Sequence, residues 1–282
     1  MKKFILFLFT GALLCAALYF FGVNNRYIFT SPAEEGGDIK IGHINICGFT
    51  ESRDRRLTAE KMLQTASQNG VDALFVQEFQ LNWKFTEKDF RKLASKYYRN
   101  VSVNGECAVV SNFPIISHDR KFFSDQSDKF SSVHLDVNGR DVRVFAPHLR
   151  TTGLYYFGYG RDVSNTNNIS KARGLIRQNK KIRIAQSESL RDAINYSSTP
   201  VLVAGDFNSL PWTKVMRNVQ RFFLKDCFME KGSGKGSTFK EMRDLPRIDY
   251  ILHDDHFKCL DAQIIQEDLS DHRMIVATLQ FK

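Results

Sequence analysis

The stretch VLVAGDFNSLPW, residues 201–212, begins as an apolar run and ends in an acid and an amide. Val201, Leu202 and Val203 suit a strand covered on both faces, and Pro200 marks its entry. Gly205 breaks the run. In an extended chain, alternation puts Asp206 and Asn208 on one side and Phe207 on the other, so a carboxylate and an amide stand together beside a core. An Asx turn at the end of a strand explains the pair equally well. Other strands ending in matching groups would decide between the two.

Length and composition set the frame. A chain of 282 residues can bury one large core, and 43% hydrophobic with 25% charged residues is ordinary for a globular protein and argues against disorder. With 40 Lys plus Arg against 31 Asp plus Glu, the net charge of +9 favours anionic partners: nucleic acid, phospholipid head groups or phosphorylated metabolites. Residues 4–23, FILFLFTGALLCAALYFFGV, carry no charge and follow Lys2 and Lys3, which suits a membrane-spanning anchor with a cytoplasmic start. A cleaved signal segment is the competing reading, with Cys15 and Ala17 before the cut; it would leave Leu18, Tyr19, Phe20 and Phe21 exposed. Either way residues 24–38 read as a linker, and residues 39–282 are expected outside the cytoplasm: on the membrane if anchored, secreted or periplasmic if cleaved. Cys47, Cys107, Cys227 and Cys259 fit disulfides in such a compartment, or free buried thiols. No spacing of Cys and His suggests zinc, and nothing points to a protein partner.

Beyond the linker, short apolar runs alternate with helical segments. IKIGHINI (39–46) alternates as a strand. In residues 57–70, Leu57, Met62, Leu63 and Ala66 share one helical face, and Gly70 ends the helix. DALFVQEF is a strand, and ECAVVSNFPIIS is a strand, a turn and a strand. Residues 131–149 read as a hairpin about Asn138-Gly139. A polar and aromatic loop over 151–167 precedes a helix over 170–195, with Leu175, Ile182, Ala185 and Leu190 inside and Lys171, Arg173, Arg177, Lys180, Lys181 and Arg183 outside. VLVAGDFN, RIDYILH and MIVATLQF add three strands. The whole predicts a mixed α/β sheet system flanked by helices.

The opening oddity recurs along the chain. Asn45 interrupts an isoleucine strand; apolar runs end in Gln77-Glu78 and in Pro147-His148; Asp249 stands between Ile248 and Ile251; Asp271-His272 precedes the last strand. Each alone has a bland explanation, such as a surface end, a core histidine, a partner for Arg247 or a turn. Together they would place several costly polar groups at strand ends, and a divalent cation offsets that cost because hard cations take oxygen ligands.

These residues in this order, Asn45, Gln77-Glu78, His148, Gly205-Asp206-Phe207-Asn208, Arg247-Ile248-Asp249-Tyr250 and Ser270-Asp271-His272, resemble the motif series of the endonuclease/exonuclease/phosphatase superfamily. The Ser111–Ile115 element, SNFPI, resembles a turn of the same family, and the likeness spans residues 39–281. The resemblance implies a four-layer α/β/β/α sandwich, two sheets face to face with helices outside, and a Mg²⁺-dependent phosphoester hydrolase, with Mn²⁺ as an alternative ion. It implies Glu78 as principal metal ligand with Asn45 and Asp271, and Asp206 orienting or deprotonating the attacking water. Asn208 would donate to a phosphate oxygen, His272 would work in a pair with Asp249, and His148 would be a second proton donor or a phosphate ligand. An endonuclease-like phosphodiesterase is the leading expectation; a lipid head-group or inositol-phosphate hydrolase is the alternative, and a non-catalytic membrane-anchored binding protein a third. Arg150, Tyr155, Tyr156, Tyr159 and Arg161, following His148, are candidates for substrate contact, to bases and phosphates or to a lipid interface. A loop packed on the sheet would use the same residues.

Overall fold

In the computed structural model, residues 33–49, 54–123, 129–153, 166–221, 223–233, 236–240 and 247–282 are described. The strands are β1 (Ile39–Asn45), β2 (Ala73–Gln77), β3 (Asn100–Asn104), β4 (Cys107–Ser111), β5 (Ile115–Phe122), β6 (Lys129–Val137), β7 (Arg140–Ala146), β8 (Val201–Asp206), β9 (Lys225–Asp226), β10 (Gly232–Ser233), β11 (Asp249–His253), β12 (Phe257–Ile264) and β13 (Ile275–Phe281). The helices are α1 (Arg55–Gln68), α2 (Glu87–Ala94), α3 (Thr166–Asn195), α4 (Lys214–Gln220) and α5 (Cys227–Lys231).

They build two mixed sheets, ordered β10-β12-β13-β1-β2-β4-β3 and β5-β6-β7-β8-β11-β9. The parallel pairs β1/β2 and β7/β8 sit centrally, with antiparallel neighbours on both sides. Alternation within each strand sorts its side chains into two cores. Ile39 and Ile41 of β1, Ala73 and Phe75 of β2, Leu202 and Ala204 of β8, and Ile251 of β11 point between the sheets. Their neighbours point outward: Ile44, Leu74 and Val76 pack with Met62, Leu63 and Phe90 of α1 and α2, while Val203, Tyr250 and Leu252 pack with Leu190 of α3 and Met216 of α4. Truncating a fully buried member such as Leu202 to Ala would cost about 2–5 kcal/mol.

Helix α1 begins where Asp54 accepts from the backbone N–H groups of Arg56 and Leu57 at 2.9 and 3.1 Å, and stops at Gly70, whose φ of +67° suits glycine. Leu57, expected on its buried face, is 48% exposed, because the helical period sets it on the side away from the buried Thr58, Ala59, Met62, Leu63 and Ala66. In α3 the correction is larger. Arg183, expected in solvent, is buried with Asn179 and Gln186, while Leu175, Ile182 and Ala185 are only half-buried. The stretch read as linker ends against the domain: Glu34 and Asp38 donate their N–H groups to the carbonyls of Leu260 and Leu279, both at 2.8 Å. The apolar segment 4–23 lies outside the described residues, and among those described no helix is long and apolar enough to cross a membrane. Among the described residues Cys47, Cys107, Cys227 and Cys259 form no disulfide with one another, and the last three are buried.

Candidate active site

The inward rows of four strands continue as polar groups at one end of the sandwich. His43 and Asn45 follow Ile39 and Ile41; Gln77 follows Ala73 and Phe75; Asp206 follows Leu202 and Ala204; Asp249 precedes Ile251. Register brings them together, since Asn45 stands beside Gln77 in β1/β2 and Asp206 opposite Asp249 in β8/β11. Gly205 does not break the strand. A Cβ there would lie 2.2 Å from the carbonyl oxygen of Pro147, so its absence lets the end of β7 close on β8 and form the bridge between His148 and Asp206.

Two site residues leave the strand geometry altogether. Glu78 follows β2 with φ of +51° and Asn208 follows β8 with φ of +46°, left-handed conformations that cost non-glycine residues on the order of 1–3 kcal/mol. Asn208 therefore reaches Asp206 by a turn and not by extended alternation. Its N–H donates to Asp206 Oδ1 at 2.7 Å, and its side-chain amide donates to Asp206 Oδ2 at 3.2 Å and to the carbonyl of Leu149 at 3.0 Å. The turn at Glu78 leaves Gln77 pointing inward, where it donates to the carbonyl of Pro147 at 2.8 Å.

Asp249 accepts from His43 Nε2 on one oxygen at 3.0 Å and from His272 Nδ1 on the other at 2.9 Å, and is fully buried. Thr238 Oγ1 accepts from the N–H groups of Ile248 and Asp249, and the Phe239 ring lies 5.0 Å from the His272 ring. Burial alone would raise the Asp249 carboxyl, yet the flanking histidines hold it well below the usual carboxylate range. Burial alone would lower His272, yet the carboxylates of Asp249, Asp206 and Asp271 raise it to about 10, so the imidazole is charged at neutral pH. Asp206 goes the other way: burial and the charge of Asp249 raise it, against the pull of His272 and His148. Arg247 is not the partner of Asp249; it makes a buried bidentate pair with Asp226 at 3.0 and 2.7 Å.

The second half of the site is open. Asn45 Nδ2 donates to Glu78 Oε1 at 2.9 Å and to Asp206 Oδ2 at 3.2 Å, and His148 Nε2 lies 3.3 and 3.7 Å from the same two oxygens. Glu78 and His148 keep about a third of their side chains in solvent. One ligand atom each of Asp206, Asp249 and His272 also lies within 4.8 Å of the others. Both oxygens of Asp249 accept from imidazoles and both oxygens of Asp206 accept from amides, so the partly exposed carboxylate of Glu78, which shares the Asn45 amide donor with Asp206, is the acid with most room for a cation. Two hard oxygen groups converging on one amide donor fit a divalent ion, while the Asn45 oxygen accepts from the N–H of Cys47 at 2.9 Å. Asp271 is half-buried and accepts from Ser270 Oγ at 2.9 Å; no hydrogen bond joins it to Glu78 or Asn45.

Arg150 is held by its backbone: its N–H donates to Gln186 at 2.9 Å, and its carbonyl accepts from Arg183 at 2.9 Å. Tyr155, Tyr156, Tyr159 and Arg161 lie outside the described residues. The sequence reading missed His43, although it stands two places before Asn45 on the same inward row, and missed Arg183, whose burial no periodicity announces.

The chain belongs to the endonuclease/exonuclease/phosphatase family, whose model matches residues 42–272. Members of that family are generally divalent-metal-dependent hydrolases of phosphoester bonds. Solved structures share the fold at low identity. A family protein from Leptotrichia buccalis is 17% identical with a TM-score of 0.59, covering 86% of this chain and 100% of that one. A family protein from Bacteroides thetaiotaomicron is 14% identical with a TM-score of 0.64, covering 86% and 98%. A beta toxin mutant from Staphylococcus aureus, with bound magnesium ions, is 16% identical with a TM-score of 0.61, covering 86% and 99%. No curated protein matches the sequence.

Proposed function

We propose that this chain is a Mg²⁺-dependent phosphodiesterase that drives water onto phosphorus as the ester P–O bond breaks and an alcohol leaves, with Mn²⁺ able to replace Mg²⁺. The observation that carries the reading is the placement of Asp206 between the charged His272–Asp249 pair and the open Asn45–Glu78–His148 group. A carboxylate raised by burial is a better proton acceptor than an exposed one, so Asp206 orients the water and takes its proton. His272, whose Nε2 lies 3.9 Å from Asp206, donates to the phosphate as negative charge develops, and Asp249 keeps the ring charged and aimed. His148 is the second donor, and Asn208 fixes the Asp206 carboxylate, its amide hydrogens going to Asp206 Oδ2 and to the Leu149 carbonyl. Glu78 and Asn45 would hold the ion, with Asp271 as a further candidate ligand; when bound, the ion would supply Lewis-acid polarisation of a phosphoryl oxygen. The apolar segment 4–23 keeps the domain at a membrane, on its non-cytoplasmic side.

The test is turnover of a small soluble phosphodiester, of plasmid DNA and of vesicle phospholipid, with Mg²⁺, with EDTA, and in Asp206→Asn and His272→Ala. Metal-dependent turnover of at least one substrate that both variants abolish supports the reading. Turnover that survives both substitutions overturns it.

A further inference from the structure

The chain contains two tryptophans, and both are exposed on loops that leave the acid-bearing strands at the site's end of the sandwich: Trp83 after β2 and Trp212 after β8. Trp83 is 83% exposed, far from the usual state of so large an apolar side chain. It is not there through looseness. Asn82 and Phe85 pair across the turn; Asn82 Oδ1 accepts from the N–H groups of Lys84 and Phe85, both at 2.9 Å. Below the turn Phe79, Phe85 and Phe90 are buried against one another, with ring centroids 4.5 and 6.4 Å apart. A rigid, anchored tip therefore holds an indole out into solvent, five positions beyond Glu78.

The surroundings of that indole have a definite chemistry. Lys84 Nζ lies 4.9 Å from the Trp83 ring centroid and covers one of its faces. The neighbouring start of α1 adds Leu57, 48% exposed, with Arg56 beside it, and Arg55 is tied to this loop by a hydrogen bond to the carbonyl of Gln80. A nucleic-acid base stacks on a free aromatic face, and an aliphatic Leu57 offers it nothing. At a lipid interface the same set has a role for every member: indole and leucine enter the head-group and acyl boundary, while lysine and arginine reach the phosphates. The net charge of +9 favours an anionic surface, and residues 4–23 of the same chain form an uncharged apolar stretch.

We propose that the Trp83–Lys84 turn, with Leu57, Arg55 and Arg56, is a docking surface for an anionic phospholipid bilayer, which sets the mouth of the site against the head groups. The proposal deepens the phosphodiesterase reading by naming its substrate class as membrane phospholipid, and it rests on that reading for its enzymatic arm alone. The binding arm stands by itself. In the full chain carrying Trp212→Phe, Trp83 is the sole indole reporter. Vesicles of brominated phosphatidylcholine with phosphatidylglycerol should shift its emission to the blue and quench it, and Lys84→Glu should weaken both effects. A chain that sediments with the vesicles while Trp83 keeps the emission of a water-exposed indole would overturn the docking surface. So would quenching by a single-stranded oligonucleotide with no response to vesicles, which would assign the turn to nucleic acid. In the enzymatic arm, Trp83→Ser should lower turnover of vesicle phospholipid about tenfold while leaving a soluble phosphodiester unchanged. If the unmodified chain hydrolyses the soluble diester but Trp83 stays in water, the docking proposal fails alone. If the chain hydrolyses nothing while Trp83 enters the bilayer, the phosphodiesterase reading fails alone.

Discussion

Asp206 and Asp249 are direct partners across β8 and β11, both buried, yet their surroundings push them in opposite directions. Asp249 has an imidazole on each oxygen and is held ionised. Asp206 receives amide hydrogens from Asn45 and Asn208, looks toward histidines 3.7 and 3.9 Å away, and carries the repulsion of Asp249. Identical side chains on facing strands thus divide the work. The fully paired acid is scaffold for a charged histidine, and the strained one is the group left with an appetite for a proton or a cation. The difference lies in partners, not in depth.

The contrast predicts the largest effect for Asp249→Asn. Removing that charge strands a buried imidazolium, so stability should fall by about 3–5 kcal/mol in thermal or urea unfolding. Turnover should fall by roughly 10²–10⁴-fold as His272 loses its charge and aim. Asp206→Asn should lose turnover on a similar scale, roughly 10²–10⁴-fold, without any drop in the melting temperature of the metal-free protein. Its carboxyl is raised on folding, so at neutral pH its charge opposes the folded state, and neutralising it removes that opposition. Equal melting losses in the two variants would erase the distinction. Glu78→Gln, on the open side, should leave the fold intact and weaken Mg²⁺ binding by at least about tenfold in calorimetric titration.

The pH dependence has a definite sign. His272 is raised from 6.5 to about 10 in the metal-free fold, so its contribution to stability is full below pH 6.5 and is lost as pH rises toward 10. Melting temperatures of the metal-free protein should decline over that window, and the decline should be shallower in His272→Gln. The smallest effect belongs far from both acids: Asp54→Ala removes the cap of α1 and should cost about 1 kcal/mol with no change in turnover.

Strand parity made much of the site legible. In IKIGHIN the inward row of Ile39 and Ile41 runs directly to Asn45, and in RIDYIL the same rule places Asp249 between the sheets with Ile251. Other features resisted for physical reasons. Helix α2 lacks a long apolar period, although Thr86 and Asp89 form a capping box that marks its start. Arg183 sits in a helix rich in cations, and its burial depends on the Arg150 carbonyl, brought against it by a distant part of the chain. Leu57 is apolar, yet its spacing of five, six and nine residues from Met62, Leu63 and Ala66 turns it to the other side of α1, where it is exposed.

The sequence by itself determined which strands are covered on both faces, which of their ends are polar, and the ordered motifs that mark the family, because alternation and composition are local properties. Tertiary structure alone decided how those ends are paired. It put Asp206 opposite Asp249, gave Asp249 a second histidine in His43, turned Glu78 and Asn208 through left-handed backbone, and let Gly205 admit the end of β7. Charge state and reactivity follow from neighbours a few ångströms away in space, and those neighbours come from strands as much as 206 residues apart in the chain.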